Sequence, residues 1–199
     1  VIGAYNGSGC GDNDGNDTQA QFRDIRGMAF DSSGNLFVSD DAKIKKITFD
    51  ISDNSASSTT FAGNGEWGFN DGEGIDAQFR EPAGITIDSS DNLYVADRHN
   101  HRIRKITPSG EVSTYAGANN DGFQDGSLLS SRFRSPFGIS SDSNGDMYIT
   151  EIDGHRIRKI DVSESTVSTV AGSGMYGHLD SDLQSSKFKR PSGIVSTSS

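Results

Sequence analysis

The sequence predicts an all-β chain, a β-propeller built from four-stranded antiparallel blades. Three observations predict it. One motif occurs four times, as Phe22-Arg23 followed by Gly27, Phe79-Arg80 by Gly84, Phe133-Arg134 by Gly138, and Phe188-Lys189 by Gly193. The glycine intervals are 84 − 27 = 57, 138 − 84 = 54 and 193 − 138 = 55 residues, a period that marks an array of like supersecondary units. Within each unit, short β-branched or aromatic runs alternate with Asp, Ser, Asn and Gly clusters, and no stretch sustains a helical period.

The second unit shows the elements in order. Gly84-Ile85-Thr86-Ile87 is a first strand, short and β-branched. Asp88-Ser89-Ser90-Asp91-Asn92 is a turn, because these side chains bond their own backbone and tolerate left-handed dihedrals. Leu93–Asp97 is a second strand, Arg98-His99-Asn100 a turn and His101–Ile106 a third strand. Thr107-Pro108-Ser109-Gly110 turns again, into a fourth strand over Glu111–Ala116. The same order fits the neighbours: Phe30–Asp40 and Ser143–Glu151 match the first turn and second strand, and Lys43–Ile47 and His155–Ile160 the third strand.

One such sheet cannot cover its own apolar faces, whereas radial stacking buries each face against a neighbour. Clean alternation is then unnecessary, which suits Ile103-Arg104-Lys105-Ile106, whose basic stems are expected to line the inter-blade contact while their heads reach water. The whole of 1–199 is assigned to the propeller. A last strand of a preceding blade falls at 1–5, blades at about 22–63, 79–117 and 133–172, and the start of a further blade at 188–199. Since about four blades close a ring, the chain is expected to be an incomplete propeller, either a window of a longer protein or half of a two-chain ring.

Phe79-Arg80-Glu81-Pro82-Ala83-Gly84-Ile85, Asp91–Asp97 and Asn100-His101-Arg102-Ile103-Arg104-Lys105-Ile106 together resemble the NHL repeat, down to its Asn-His pair. The resemblance runs over nearly the whole chain. It implies a propeller, commonly six-bladed, that presents protein or RNA surfaces, with a minority of enzymes among the relatives. The Asp-Gly-rich stretch before each Phe resembles the longer blades of secreted and cell-surface members. Unit one departs, with Asp41-Ala42 where unit two has Arg98-His99-Asn100-His101, and unit three keeps only the His, in Asp153-Gly154-His155.

Composition narrows the class. The 199 residues carry 24 glycines and a formal net charge of −10, which opposes binding to a phosphate backbone and disfavours an RNA-binding propeller. No apolar run approaches a membrane span. Two sequons, at Asn6 and Asn16, sit in Gly/Asp-rich loop sequence and are glycosylation candidates, which together with the resemblance points to an extracellular or cell-surface location. Cys10, the single cysteine, is either a free thiol or pairs outside the chain.

Candidate chemistry is sparse. Asp12, Asp14 and Asp17 stand at alternating positions like the opening of a calcium loop, but Asp17 takes the place of its Gly and Arg23 that of its closing Glu. Asp-Gly recurs in register at Asp71-Gly72 and Asp125-Gly126, which favours turn chemistry over a metal, so no cofactor is expected. His101 and His155 share one repeat position and read as hairpin residues, while His99 and His178 lie in loops without an assignable partner. No nucleophile elbow or zinc-type cluster occurs, and no catalytic residue is assigned. The recurring Arg102, Arg104, Lys105, Arg156, Arg158 and Lys159 read as inter-blade structure, with a basic stripe for an anionic partner as the alternative. Trp67, Phe69, Phe123 and Tyr176 read as packing under loops, or as a protein or carbohydrate contact where exposed.

The expected function is therefore a non-enzymatic scaffold or protein-interaction module, binding a protein partner or copies of itself through the propeller faces. The alternative from another class is part of a hydrolase- or lyase-type propeller enzyme working at the central channel.

Overall fold

In a computed structural model, residues 11–197 are described; the strand expected at 1–5, Asn6 and Cys10 lie outside them. The first sheet comprises β1 (Gly15–Asn16), β2 (Ile25–Phe30), β3 (Leu36–Asp40), β4 (Lys43–Asp50) and β5 (Ser55–Ala62). The second holds β6 (Gly72–Glu73), β7 (Pro82–Ile87), β8 (Leu93–Asp97), β9 (Arg102–Ile106) and β10 (Glu111–Ala116). The third holds β11 (Gly126–Ser127), β12 (Pro136–Ser141), β13 (Met147–Glu151), β14 (Arg156–Asp161) and β15 (Thr166–Ala171). All pairings within the sheets are antiparallel, and the three sheets share one strand order, β1-β5-β4-β3-β2 and its equivalents.

Each blade has five strands, which corrects the expected four. The fifth is two residues long and comes from the Asp-Gly loop, Gly15↔Ser58 in the first blade and Gly72↔Val112 in the second. So short a strand leaves no periodic pattern in a sequence. The turns between first and second strands follow the expected chemistry: Asp88 Oδ1 accepts the backbone N–H groups of Ser90 and Asn92, as Asp31 does from Ser33 and Asn35.

The strands β2, β7 and β12 lie side by side where the blades converge, and the repeated glycine is needed there. A Cβ on Gly27 would lie 2.2 Å from the Ala83 carbonyl oxygen, and one on Gly84 2.6 Å from that of Phe137. Only a residue without a side chain lets the backbones approach so closely. Residues 191–197 form no strand, yet they run beside β12 as β12 runs beside β7. Ser140 Oγ lies 2.9 Å from Ser196 Oγ, matching Thr86 Oγ1 and Ser141 Oγ at 2.9 Å.

Apolar burial lies between blades. Phe37, Ile44 and Ala62 of the first pack on Ile85, Leu93, Val95, Ile106 and Val112 of the second, with Phe79 between them. Tyr94, Ala96 and Ile103 pack likewise on Phe133, Ile139, Met147 and Ile149. The motif Phe is thus a plug at each blade boundary.

Candidate functional site

The titratable side chains fall into two groups, one locked inside the blades and one open on a face. The locked group centres on the third strand of each blade. Arg104 on β9 is fully buried, and its fork makes two ion pairs, Nη1 to Asp97 Oδ2 at 2.7 Å and Nη2 to Asp71 Oδ1 at 2.6 Å. It also donates to the carbonyls of Gln78 and Asn70, so one cation ties the second strand to the Asp-Gly loop. Asp97 holds the Arg80 backbone N–H, and Asn100 Nδ2 bridges Asp97 Oδ2 and the Gly68 carbonyl. Asp71 in turn accepts from the Thr114 backbone N–H.

The third blade repeats this with Arg158, Glu151 and Asp125, Nη2 meeting Asp125 Oδ1 at 2.6 Å and Nη1 meeting Glu151 Oε1 at 3.3 Å. There the longer Glu151 fills the space of the missing Asn, because a Cβ on Gly154 would lie 2.8 Å from Glu151 Oε2. Burial pushes the Asp97 and Glu151 carboxyls up, against the pull of their arginines. The expectation that these basic heads reach water is therefore corrected for Arg104 and Arg158. Each buried guanidinium ends on a loop carboxylate, Asp71 or Asp125, that itself meets water, so the carboxylate rather than the arginine faces solvent. Arg102 and Arg156 stack on Phe69 and Phe123, each 3.9 Å from the ring centroid, while Lys105 lies over the Tyr94 ring and Lys159 pairs with Asp146 and Asp161.

The candidate calcium ligands belong to the same locked pattern. Asp12 meets Lys43 at 2.7 Å and the buried Lys45 at 3.5 Å; Asp14 meets Lys45 at 3.3 Å and accepts from the Thr60 N–H. Asp17 accepts from the Ala56 N–H. The three carboxylates thus hold lysines and backbone, and among the described residues no three His, Cys, Asp or Glu converge to hold a metal ion. Asn16 is exposed on the short strand β1.

The open group lies between the second and third blades, on the face carrying the β8–β9 and β13–β14 hairpins. A depression of about 690 Å3 is lined by Arg80, Arg134, His99, His101, His155 and Tyr176, with Asp121 and Asp153 at its side. His101 and His155 hold left-handed backbone, at φ 57° and 53°. The Nδ1 of His101 accepts the Ser135 backbone N–H at 3.1 Å, and that of His155 accepts the Arg190 N–H at 3.4 Å. Each His latches its hairpin to the next blade. Burial pushes the His99 and His101 imidazoles down. The sequence brought His101 and His155 to one repeat position; it gave no sign that His99, Arg80 and Arg134 would join them, since they converge only through blade stacking. His178 lies elsewhere, beside Leu179 and Lys189 in a separate depression. The aromatic row is more exposed than packing alone predicts, with Trp67 57% and Tyr176 59% exposed; Trp67 Nε1 donates to Asp41 Oδ1.

Comparisons with known proteins agree with this architecture. The NHL repeat family model matches residues 79–106. NHL repeat-containing protein 2 of Homo sapiens is 38% identical over 97 residues, which cover 48% of this chain and 13% of that protein. An auxiliary nutrient binding protein of Bacteroides thetaiotaomicron superposes with a TM-score of 0.62 at 27% identity, over 71% of this chain and 36% of that one. A chain from a nidogen/laminin complex superposes with a TM-score of 0.52 at 19% identity, over 87% of this chain and 52% of its own length, a likeness of fold. The match to the human protein thus spans about an eighth of its length.

Proposed function

We propose that this chain, which belongs to the NHL-repeat proteins, is a non-enzymatic scaffold that binds other proteins through exposed repeat positions, outside the cell or at its surface. The observation that carries this reading is a large apolar side chain left uncovered in the corresponding loop of each repeat. Ile75 and Leu129, 129 − 75 = 54 residues apart and each four residues before its motif Phe, are 66% and 63% exposed; in the next loop Gln184 takes that position and Leu183, 64% exposed, stands beside it as the counterpart of Leu128. Single exposed apolar residues are ordinary, but a large one uncovered in the same loop of each successive repeat places apolar surface along one edge of the blades, the arrangement repeat proteins use for extended contacts. The charged groups that recur with them, Arg104, Arg158, Asp97 and Glu151, are committed to holding the blades, which favours a binding role over catalysis. The protein-binding role also fits the NHL-propeller fold itself.

The test places a photo-crosslinking amino acid at Ile75 or Leu129 of the full-length protein in its source cells, with Ser33 on a turn as control. The same partner peptides should be recovered at both positions and not at Ser33; products from neither position would overturn the reading. For the extracellular location, Asn16 of the native protein should carry a glycan, seen as a conversion to Asp with peptide N-glycosidase. An unmodified Asn16 together with protection from surface biotinylation would overturn it.

A further inference from the structure

The depression between the second and third blades is lined by hydrogen-bond donors whose orientation the fold itself sets. His101 Nδ1 accepts the Ser135 N–H, so it must carry a lone pair, and the neutral ring must hold its proton on Nε2. His155 is fixed the same way by the Arg190 N–H. Neither Nε2 has a protein partner among the described residues, and neither is among the buried unpartnered atoms, so both stand open to the depression. Arg80 and Arg134 occupy one repeat position at its rim and are exposed. Their counterpart Arg23 pairs with Asp41 at 2.8 Å, whereas Arg80 and Arg134 form no ion pair among the described residues. Of the two carboxylates present, Asp153 is already engaged by Ser135 and by Arg190 at 3.6 Å, leaving Asp121 at the edge.

From this geometry we propose that the depression is a docking site for carboxylate side chains of an acidic segment of a partner protein, held by Arg80 and Arg134 and oriented by the Nε2–H groups of His101 and His155. Guanidinium groups bind carboxylates in a planar two-point fashion, and the neutral imidazoles add donors without requiring a second charge. Tyr176, 59% exposed beside His155, supplies an aromatic surface for the peptide between its acids. A nucleic-acid backbone has one charge per nucleotide, and a chain of net charge −10 repels it at every approach, whereas a peptide with spaced acids feels the local arginines more than the distant field. The proposal rests on the scaffold reading and names the chemistry of one partner contact.

The experiment measures fluorescence anisotropy of a labelled, acetylated Glu-Gly-Glu-Gly-Glu peptide and of oligouridylate against the full-length protein. Saturable peptide binding is expected, weakened about tenfold by Arg134→Ala and by Arg80→Ala, while Lys187→Ala, which removes the same charge elsewhere, leaves it unchanged; melting curves confirm that each variant folds. Equal losses in Lys187→Ala would reduce the effect to general charge and overturn the proposal, as would tighter binding of oligouridylate. Independently of any ligand, long-range 15N–1H spectra should show the Nε2–H tautomer at both histidines at neutral pH; an Nδ1–H ring would overturn the assignment. Absence of peptide binding sinks this site but leaves the scaffold reading to the crosslinks at Ile75 and Leu129, which lie apart from it.

Discussion

The first blade and the second solve the same problem with different cations. In the second, the two nitrogens of Arg104 reach the Asp97 carboxylate on β8 and the Asp71 carboxylate in the loop at once. In the first, Lys45 holds the loop, through the Asp12, Asn13 and Gln21 carbonyls and the carboxylates of Asp12 and Asp14. It makes no ion pair with Asp40, whose Oδ2 is buried without a partner. The first blade also has the short Asp41-Ala42 hairpin, so no Asn covers that carboxylate as Asn100 covers Asp97. A point charge must choose between strand and loop, while a fork need not. The Arg of the repeat is therefore a structural cross-brace, completed in the second blade by Asn100; in the third, Glu151 pairs with Arg158 through Oε1 while its Oε2 is buried without a partner.

The sharpest way to break this comparison is to remove each cation. Arg104→Met leaves Asp97 buried and unpaired and should cost about 3–5 kcal/mol in urea unfolding. Lys45→Met strips a donor from the Asp12, Asn13 and Gln21 carbonyls and from the carboxylates of Asp12 and Asp14, 25% and 41% exposed, but leaves no fully buried carboxylate that it had paired, and should cost less, about 1–2 kcal/mol. Equal losses would mean that the fork has no special role. Next in size is the crowding where blades converge. Gly84→Ala places a methyl 2.6 Å from the Phe137 carbonyl oxygen and should destabilise by about 1–3 kcal/mol, whereas Gly193→Ala meets nothing within 4 Å and should stay within about 0.5 kcal/mol. Lys45→Arg sharpens the comparison from the other side. A fork in the first blade should reach Asp40 Oδ2 and raise stability by about 1–2 kcal/mol, read as a higher urea midpoint; a lower midpoint would show that the first blade lacks room for it.

The sequence carried the repeat because it is written in residues that each blade needs for the same reason. The motif Phe plugs the boundary, the Gly permits close approach and the Asp-led turn bonds its own backbone. What it concealed follows from distance along the chain. Asp71 and Arg104 are 33 residues apart, and no local pattern distinguishes an acid that faces water from one that braces a buried cation. Asp12 and Asp14 looked like ion ligands for that reason. The strands β1, β6 and β11 were hidden because two residues cannot show a period. The depression was hidden because Arg80, His101 and Tyr176 come from three separate loops, 21 and 75 residues apart, that only the stacking of blades brings together.

The smallest expected effect tests the latch that the first blade lacks, since Ala42 occupies the place of His101 there. Burial holds the His101 imidazole below its ordinary value of 6.5, with Asp121 and Asp153 pulling it up and His99 and Arg102 pushing it further down. The folded chain then binds that proton more weakly than the unfolded chain does. Its contribution to stability is complete above about pH 6.5 and is lost as the pH falls toward the depressed folded value. Protonation also places a hydrogen on Nδ1, where the Ser135 N–H now donates, so the hairpin loses its hold on the third blade. Urea midpoints at pH 7.5 and pH 5.5 should therefore differ more in the natural chain than in His101→Gln, other titrating groups being common to both. Equal differences in the two proteins would show that the histidine latch is insensitive to its own charge, and that the first blade loses nothing by having Ala42 in its place.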